Sequence, residues 1–361
     1  MNCRSSSQFL PVILLLTALT LSGCESGSAS TSTSKSSGEK PSAGDSNTPS
    51  EPVVLKHVSY DPTRELLVAL NDAFAKEYLK EKGIEVKIEP YHGGASAQTR
   101  NVIEGLDADV VSLPLPTDTE AIARAGLIKE GWEERLPNHS LPYTSTIVFV
   151  VRKGNPKQIK DWPDLVQDKL EIVTPSPRTS GNGKLSFLAA WGSVLKRGGS
   201  EEDAKNFVTE IYKRVPVLDS GARAATVTFA KKEIGDVHLT WESEAFLEID
   251  EAKGELELVV PSTSILAEPR VAVVDANVDR KGTRIVAEDY LKFFYTDPAQ
   301  EIIAANFYRP TNADILAKYP DRFAKVDLFT VQEVAKGWDE AEKKFFADGG
   351  VFSSIYGGAA K

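Results

Sequence analysis

Two extended runs limit what this chain can fold into. Residues 143–151 form a long apolar run that leads into Arg152-Lys153-Gly154-Asn155-Pro156, and a second extended stretch covers residues 256–260 and then 271–274. The region between them alternates strand and helix on its own account, and so does the chain before residue 143. Two extended connections bracketing an inserted α/β region predict a pair of lobes joined by a hinge, with a ligand cleft between them. Strand and helix alternation within each lobe predicts α/β layers, mostly parallel sheets flanked by helices. The boundaries expected are residues 53–143 with 262–310 for one lobe and 144–261 for the other. Residues 311–361 are read as a C-terminal helical region packing on the lobes.

The first 52 residues read differently. Arg4 precedes an apolar run over residues 9–21 that is too short to span a membrane, and Leu21-Ser22-Gly23-Cys24 closes it. This ending resembles a bacterial lipobox, which predicts a leader over residues 1–23 and an acylated Cys24. Residues 24–52 are rich in Ser, Thr, Gly and Pro, a flexible tether without the apolar content for a core. Cys3 and Cys24 are the chain's two cysteines, so the mature domain is expected to have neither disulfide nor thiol nucleophile. A net charge of −10 argues against nucleic acid as a partner. An exported, lipid-held and otherwise soluble protein is the expectation.

The stretch Thr179-Ser180-Gly181-Asn182 lies between a short apolar run, residues 170–173, and a helical pattern carrying Leu185, Leu188 and Ala189 on one face. The first amides of a helix lack internal partners and its dipole places positive charge there, so this is an anion cradle in form. The arrangement recurs. Tyr60-Asp61-Pro62-Thr63, Gly93-Gly94-Ala95-Ser96 and Ser220-Gly221-Ala222-Arg223 also stand at expected helix starts. Asp61 before Pro62 suits an N-cap followed by the first helical position. Trp241, after an expected strand at residues 236–240, adds an indole N–H that can only donate.

Enzymatic motifs fail. Gly181-Asn182-Gly183-Lys184 is followed by Leu185 where a phosphate loop needs Ser or Thr. No nucleophile elbow is present, and His57, His92, His139 and His238 have no metal-ligand spacing. Glu242 and Glu244 read as a helix start with a solvated face.

Several blocks resemble the sulfate-binding proteins of bacterial ABC sulfate/thiosulfate importers. They are Val58-Ser59-Tyr60-Asp61-Pro62-Thr63-Arg64-Glu65, Pro142-Tyr143-Thr144-Ser145-Thr146, Val217-Leu218-Asp219-Ser220-Gly221-Ala222-Arg223, Ile265-Leu266-Ala267-Glu268-Pro269 and Asn306-Phe307-Tyr308-Arg309-Pro310. The resemblance implies a two-lobed periplasmic-binding-protein fold of type II that closes on sulfate without metal or cofactor. Its partners would be a membrane permease and ATPase, and the protein would act as a monomer. The implied donors are the Asp61 amide, the Ser180 hydroxyl, the amides of Gly181, Asn182 and Ala222, and the Trp241 indole. The family has a serine in the Gly-Gly loop where this chain has Ala95, with Ser96 one place later. Arg64, Lys184 and Arg223 would act as supporting charge at a distance. Thiosulfate, molybdate and phosphate are the other oxyanions considered; an exported sulfate- or phosphate-ester hydrolase using Ser180 or Ser96, or a sensory module, is a weaker alternative.

Overall fold

The computed structural model describes residues 51–356. The leader, Cys24, most of the tether and the last five residues lie outside that range. Among the described residues no helix is long and apolar enough to cross a membrane.

The first lobe is built on strands β1 (Val53–Tyr60), β2 (Val86–Gly93) and β3 (Val110–Leu113). A 19-residue helix, Arg64–Lys82, follows β1 and buries Leu66, Leu67, Leu70, Phe74 and Tyr78 against the sheet. That is one apolar face at helical period. Gly83 ends it in the left-handed conformation, φ 67°, as a residue without Cβ does readily.

Strands β4 (Tyr143–Thr144) and β5 (Ile147–Arg152) carry the chain into the second lobe, which adds β6 (Ile172–Pro175), β7 (Leu218–Asp219), β8 (Val237–Trp241) and β9 (Leu256–Val259). The chain returns through β10 (Thr263–Ile265) and β11 (Arg270–Val273). Sheet order is β11-β3-β1-β2 in the first lobe and β7-β6-β8-β5-β9 in the second. The pairs joined by crossover helices are parallel, β1 with β2 and β3, β6 with β7 and β8. The strands entering straight from the other lobe run antiparallel, β11 on β3 and β5 on β8 and β9. A direct connection has no crossover to reverse the chain, so the sheets are mixed.

The two connections cross side by side: Ser145 and Ala267 exchange backbone hydrogen bonds of 3.1 and 2.9 Å, and the Thr146 hydroxyl donates to the Ile265 carbonyl and the Ser264 hydroxyl to the Ile147 carbonyl, each at 2.8 Å. Beside them β4 pairs with β12 (Arg309–Pro310). The apolar run at residues 143–151 is therefore two strands broken at Ser145 and Thr146, which carry the crossing.

After β12 the chain first packs on the Asp297–Ala305 helix of the first lobe, with Ile315 and Phe323 against Ala304, and then reaches the second lobe. Strand β13 (Asp327–Phe329) pairs with β10. Phe345 and Phe346 sit against Phe187, with ring centroids 5.5 and 5.4 Å away. Phe329 closes directly over Gly192, where an added Cβ would stand 2.2 Å from the ring. Phe329 is fully buried and has nowhere to retreat. Gly192→Ala should therefore cost about 1–3 kcal/mol, the usual penalty of overpacking. Urea unfolding measures it, and an unchanged midpoint would mean that this contact is loose.

Candidate functional site

Register brings the helix starts together. Tyr60 pairs with Gly93 at the end of β1 and β2, and Ser59 with Ser112 on β3. Asp61, Gly94 and Pro114 therefore emerge side by side at the carboxyl ends of parallel strands. The second lobe repeats this, with Pro175 paired to Asp219 and Ser176 N–H donating to the Asp219 carbonyl at 2.8 Å. The loops that follow carry Ser180 and Ala222. Carboxyl ends of parallel strands are where open α/β sheets bind ligands.

These two sets face each other across one small, half-open cavity of about 20 Å³. Its walls are Tyr60, Asp61 and Pro62, then Gly93, Gly94, Ala95 and Pro114 from the first lobe, and Ser180, Gly181, Asn182, Gly221 and Ala222 from the second. Contact between the lobes is tight: a Cβ on Gly181 would lie 2.7 Å from the Pro114 ring, so only glycine fits there.

The cavity is lined by donors. Ser180 caps the Gly181–Lys196 helix, its hydroxyl accepting from Gly183 N–H at 3.4 Å. The amides of Asp61, Ala95, Gly181, Asn182 and Ala222 have no acceptor among the described residues. The Asn182 side chain turns away, with Oδ1 accepting from the Ser186 hydroxyl at 3.3 Å. Asn182 thus offers its backbone alone. Among the described residues no group of His, Cys, Asp and Glu is placed to hold a metal.

A family model described as bacterial extracellular solute-binding protein matches residues 57–309. A thiosulfate-binding protein of Pseudomonas aeruginosa is 51% identical over 84% of this chain and 92% of its own length. A sulfate-binding protein of Salmonella typhimurium is 50% identical over 84% of this chain and 93% of its own. The chain belongs to the sulfate- and thiosulfate-binding protein family. The solved structure of the sulfate-binding protein SubI from Mycobacterium tuberculosis superposes with a TM-score of 0.74 at 28% identity, covering 82% of this chain and all of that one. The periplasmic binding protein AfuA of Actinobacillus pleuropneumoniae, 16% identical with a TM-score of 0.59 over 84% of this chain and 97% of its own, shares the two-lobed fold.

Within this family member the expected residues divide. Asp61, Ala95, Ser180, Gly181, Asn182 and Ala222 line the cavity. Ser96 is half-buried and is not part of the wall; its neighbour Ala95 is. Trp241 is fully buried and packs on Tyr60, ring centroids 5.6 Å apart, without itself forming the wall. Its indole N–H has no hydrogen-bond partner among the described residues. Pro114 belongs to the wall without any signal in the sequence.

Two expectations are corrected. Asp61 does not cap its helix: Tyr60 occupies the N-cap position, Asp61 opens a 3-10 turn, and its carboxylate takes Arg64 at 2.7 Å. Glu242 and Glu244 are buried, not solvated. Glu242 makes a two-pronged pair with Arg309, both bonds 2.7 Å, and Glu244 holds Arg223 at 3.0 Å. Arg223 also reaches Glu65 of the other lobe at 3.1 Å, and Lys184 is bonded to Glu342. The expected supporting charges are thus each neutralised locally.

Burial moves several groups. It pushes Glu244 up to about 7 despite Arg223. Asp118 in the Pro116–Arg124 helix is also pushed up to about 7 by burial, against the pull of Lys184 and with the repulsion of Glu342. Its Oδ2 has no partner among the described residues. His57 and His92 are lowered to about 3 and about 4, burial again the main cause, so both are neutral in the fold.

For a raised carboxyl the folded chain binds more protons than the unfolded one between its ordinary value and about 7, so stability increases as pH falls through that window. The two lowered histidines act oppositely below their ordinary value of 6.5. The variant isolates one contribution. Asp118→Asn, fixed neutral, should melt higher relative to wild type at about pH 8 than at about pH 5. A difference independent of pH would mean that Asp118 is not held in its protonated form.

Proposed function

We propose that this protein is the extracytoplasmic sulfate-binding component of an ABC importer, not an enzyme. It takes the dianion between its lobes and delivers it to a membrane permease driven by an ATPase. The observation that carries this reading is the convergence of amides from Asp61, Ala95, Gly181, Asn182 and Ala222, without partners among the described residues, on a single small cavity between the lobes. Relatives named for sulfate and thiosulfate, about half identical over most of their length, agree with it.

Donors alone suit an ion that carries no proton at neutral pH. Hydrogen phosphate has a proton to give and needs an acceptor, and Asp61, the carboxylate in the wall, is engaged by Arg64. Hydrogen bonds to an ion contribute roughly 1.5–3 kcal/mol each. Several of them outweigh the cost of association and closure and reach micromolar binding, about −8 kcal/mol.

A hydrolase reading lacks its base. His57 bonds Tyr290 and Ser112, His92 bonds Ser59, His139 bonds Glu134 and His238 bonds Glu248, leaving neither Ser180 nor Ser96 with a histidine partner. A nucleophilic serine needs one. Acylation at Cys24 would hold the monomer at the membrane through its tether, within reach of the permease.

Titration calorimetry should give sulfate binding near micromolar and phosphate at least about a hundredfold weaker, the discrimination of a site lacking the acceptor a proton requires. Equal affinities would overturn the reading. Trp241→Phe removes one indole donor and should weaken sulfate about tenfold or more; unchanged binding would exclude Trp241 from the site.

A further inference from the structure

The anion-facing turns of the two lobes share one support. Tyr308 and Arg309 lead into β12, which pairs with β4 beside the crossing of the two connections. Neighbouring side chains of an extended segment point to opposite sides, and these two go to different lobes. The Tyr308 hydroxyl donates to the Pro62 carbonyl at 2.8 Å, in the 3-10 turn that carries the Asp61 amide. Arg309 makes its two-pronged pair with Glu242, the residue after Trp241. Both contacts are buried: Tyr308 and Glu242 are each 1% exposed and Arg309 9%. The Glu242 amide donates to the Thr146 carbonyl at 2.9 Å, which places the pair at the hinge itself. Phe307, one residue earlier, stacks on Phe246, one turn on from Glu242, with ring centroids 5.0 Å apart. A bulky residue at φ 65° is in an uncommon conformation. Phe307 is packed there by Phe246 and by the Arg322 guanidinium, 4.9 Å from its ring.

We propose that Tyr308 and Arg309 are positioning residues of the anion site, holding the Asp61 turn of the first lobe and the Trp241–Glu242 turn of the second at the separation where both sets of donors reach one ion. The inference rests on the anion-binding reading above and concerns how that site is brought together. Neither side chain is part of the cavity wall, so both act through the backbone they hold. Extended connections alone leave lobes free to rotate, since a hinge is a few residues that absorb changes in φ and ψ. A two-pronged arginine–carboxylate pair fixes orientation as well as distance. Breaking it where it is buried leaves an unpaired charge, so the pair persists as the lobes move and Glu242 turns about Arg309. Trp241 ends β8, and β8 pairs with β6, the strand that leads to Ser180. Anchoring the end of β8 thus sets the second-lobe wall, while the bond to Pro62 sets the first. Hydrogen bonds tolerate a narrow range of distance and angle, so a small error in this separation lowers affinity without removing a donor.

Three measurements on the mature protein decide it: calorimetry with sulfate, small-angle X-ray scattering with and without sulfate, and urea unfolding of the ion-free form. The variants are Tyr308→Phe, Arg309→Lys, Glu242→Gln and the double variant Glu242→Gln/Arg309→Lys. Tyr308→Phe keeps the ring against Tyr143, 4.8 Å between centroids, and removes the Pro62 bond alone. It should weaken sulfate about tenfold, as if one donor to the ion were lost. Arg309→Lys keeps the charge but not the two-pronged geometry. It should weaken sulfate by about tenfold to a hundredfold, and its sulfate-saturated form should contract less than wild type. Glu242 and Arg309 act through one contact, so the double variant should bind about as weakly as the weaker single one. A purely structural role lowers the urea midpoint and leaves affinity and contraction as in wild type; that result overturns the inference while leaving the anion site standing. So do losses of affinity that add in the double variant. If the Arg309 and Glu242 variants fail to fold, Tyr308→Phe decides alone, because it leaves both charges paired. Failure of wild type to bind sulfate overturns both the inference and the function it rests on.

Discussion

A buried backbone N–H without an acceptor costs about as much as a lost hydrogen bond, and this chain turns several toward one cavity. The amides of Asp61, Ala95, Gly181, Asn182 and Ala222 are all helix-start or turn-start groups that find no carbonyl among the described residues. Water can satisfy them while the lobes are apart. In the cavity an ion with acceptors on every side meets the same need, and the helix dipoles favour its charge. Much of the architecture follows from holding those amides at a common point. Parallel strands aim their carboxyl ends at it, glycine at 181 lets Pro114 approach, and the two connections crossing at Ser145 and Ala267 allow the lobes to meet there.

Charge is handled at one remove. Arg64, Lys184 and Arg223 lie on or near the site's elements, yet each is bonded to a carboxylate, Asp61, Glu342 or Glu65 with Glu244. The exposed Arg64 pair is of the kind that contributes little to stability. Arg223 differs because its partners lie in different lobes and Glu244 is buried, so the pair forms fully only when the lobes are together. Lys184 likewise joins the anion-facing helix to the C-terminal segment, which Phe345 and Phe346 fasten to the same helix through Phe187. The donors in the cavity wall are neutral, and most of them are backbone amides.

How much of this was legible in the chain depends on the range of the forces involved. The Arg64–Lys82 helix showed in its apolar stripe and Gly83 stop, and the Ser180 cap in its place between an apolar run and a helical one. The four motifs at helix starts marked where free amides would occur. Pairings of charge were not legible. Glu242 and Glu244 looked solvated because their partners, Arg309 and Arg223, are distant in sequence or carry no periodic signal. Asp61 looked like a cap because Asp-Pro commonly opens a helix, but Arg64, one turn on, offers its carboxylate a stronger partner than an amide.

The sequence by itself determined the two-lobed α/β plan, the helix starts that supply donors, and the absence of a nucleophile elbow or metal spacing. These are local properties, set by residues a turn or a strand apart. Tertiary structure alone decided that Pro114 reaches Gly181, that Ala95 rather than Ser96 forms the wall, and that Trp241 lies behind Tyr60 with an unpartnered N–H. Each of these depends on the register between β1 and β2 and on contact across the lobes. A one-residue change in register reverses which side chain faces a site. The convergence of Thr179-Ser180-Gly181-Asn182 with three other helix starts on one small cavity is therefore a fact of three-dimensional packing, although each start is written plainly in the chain.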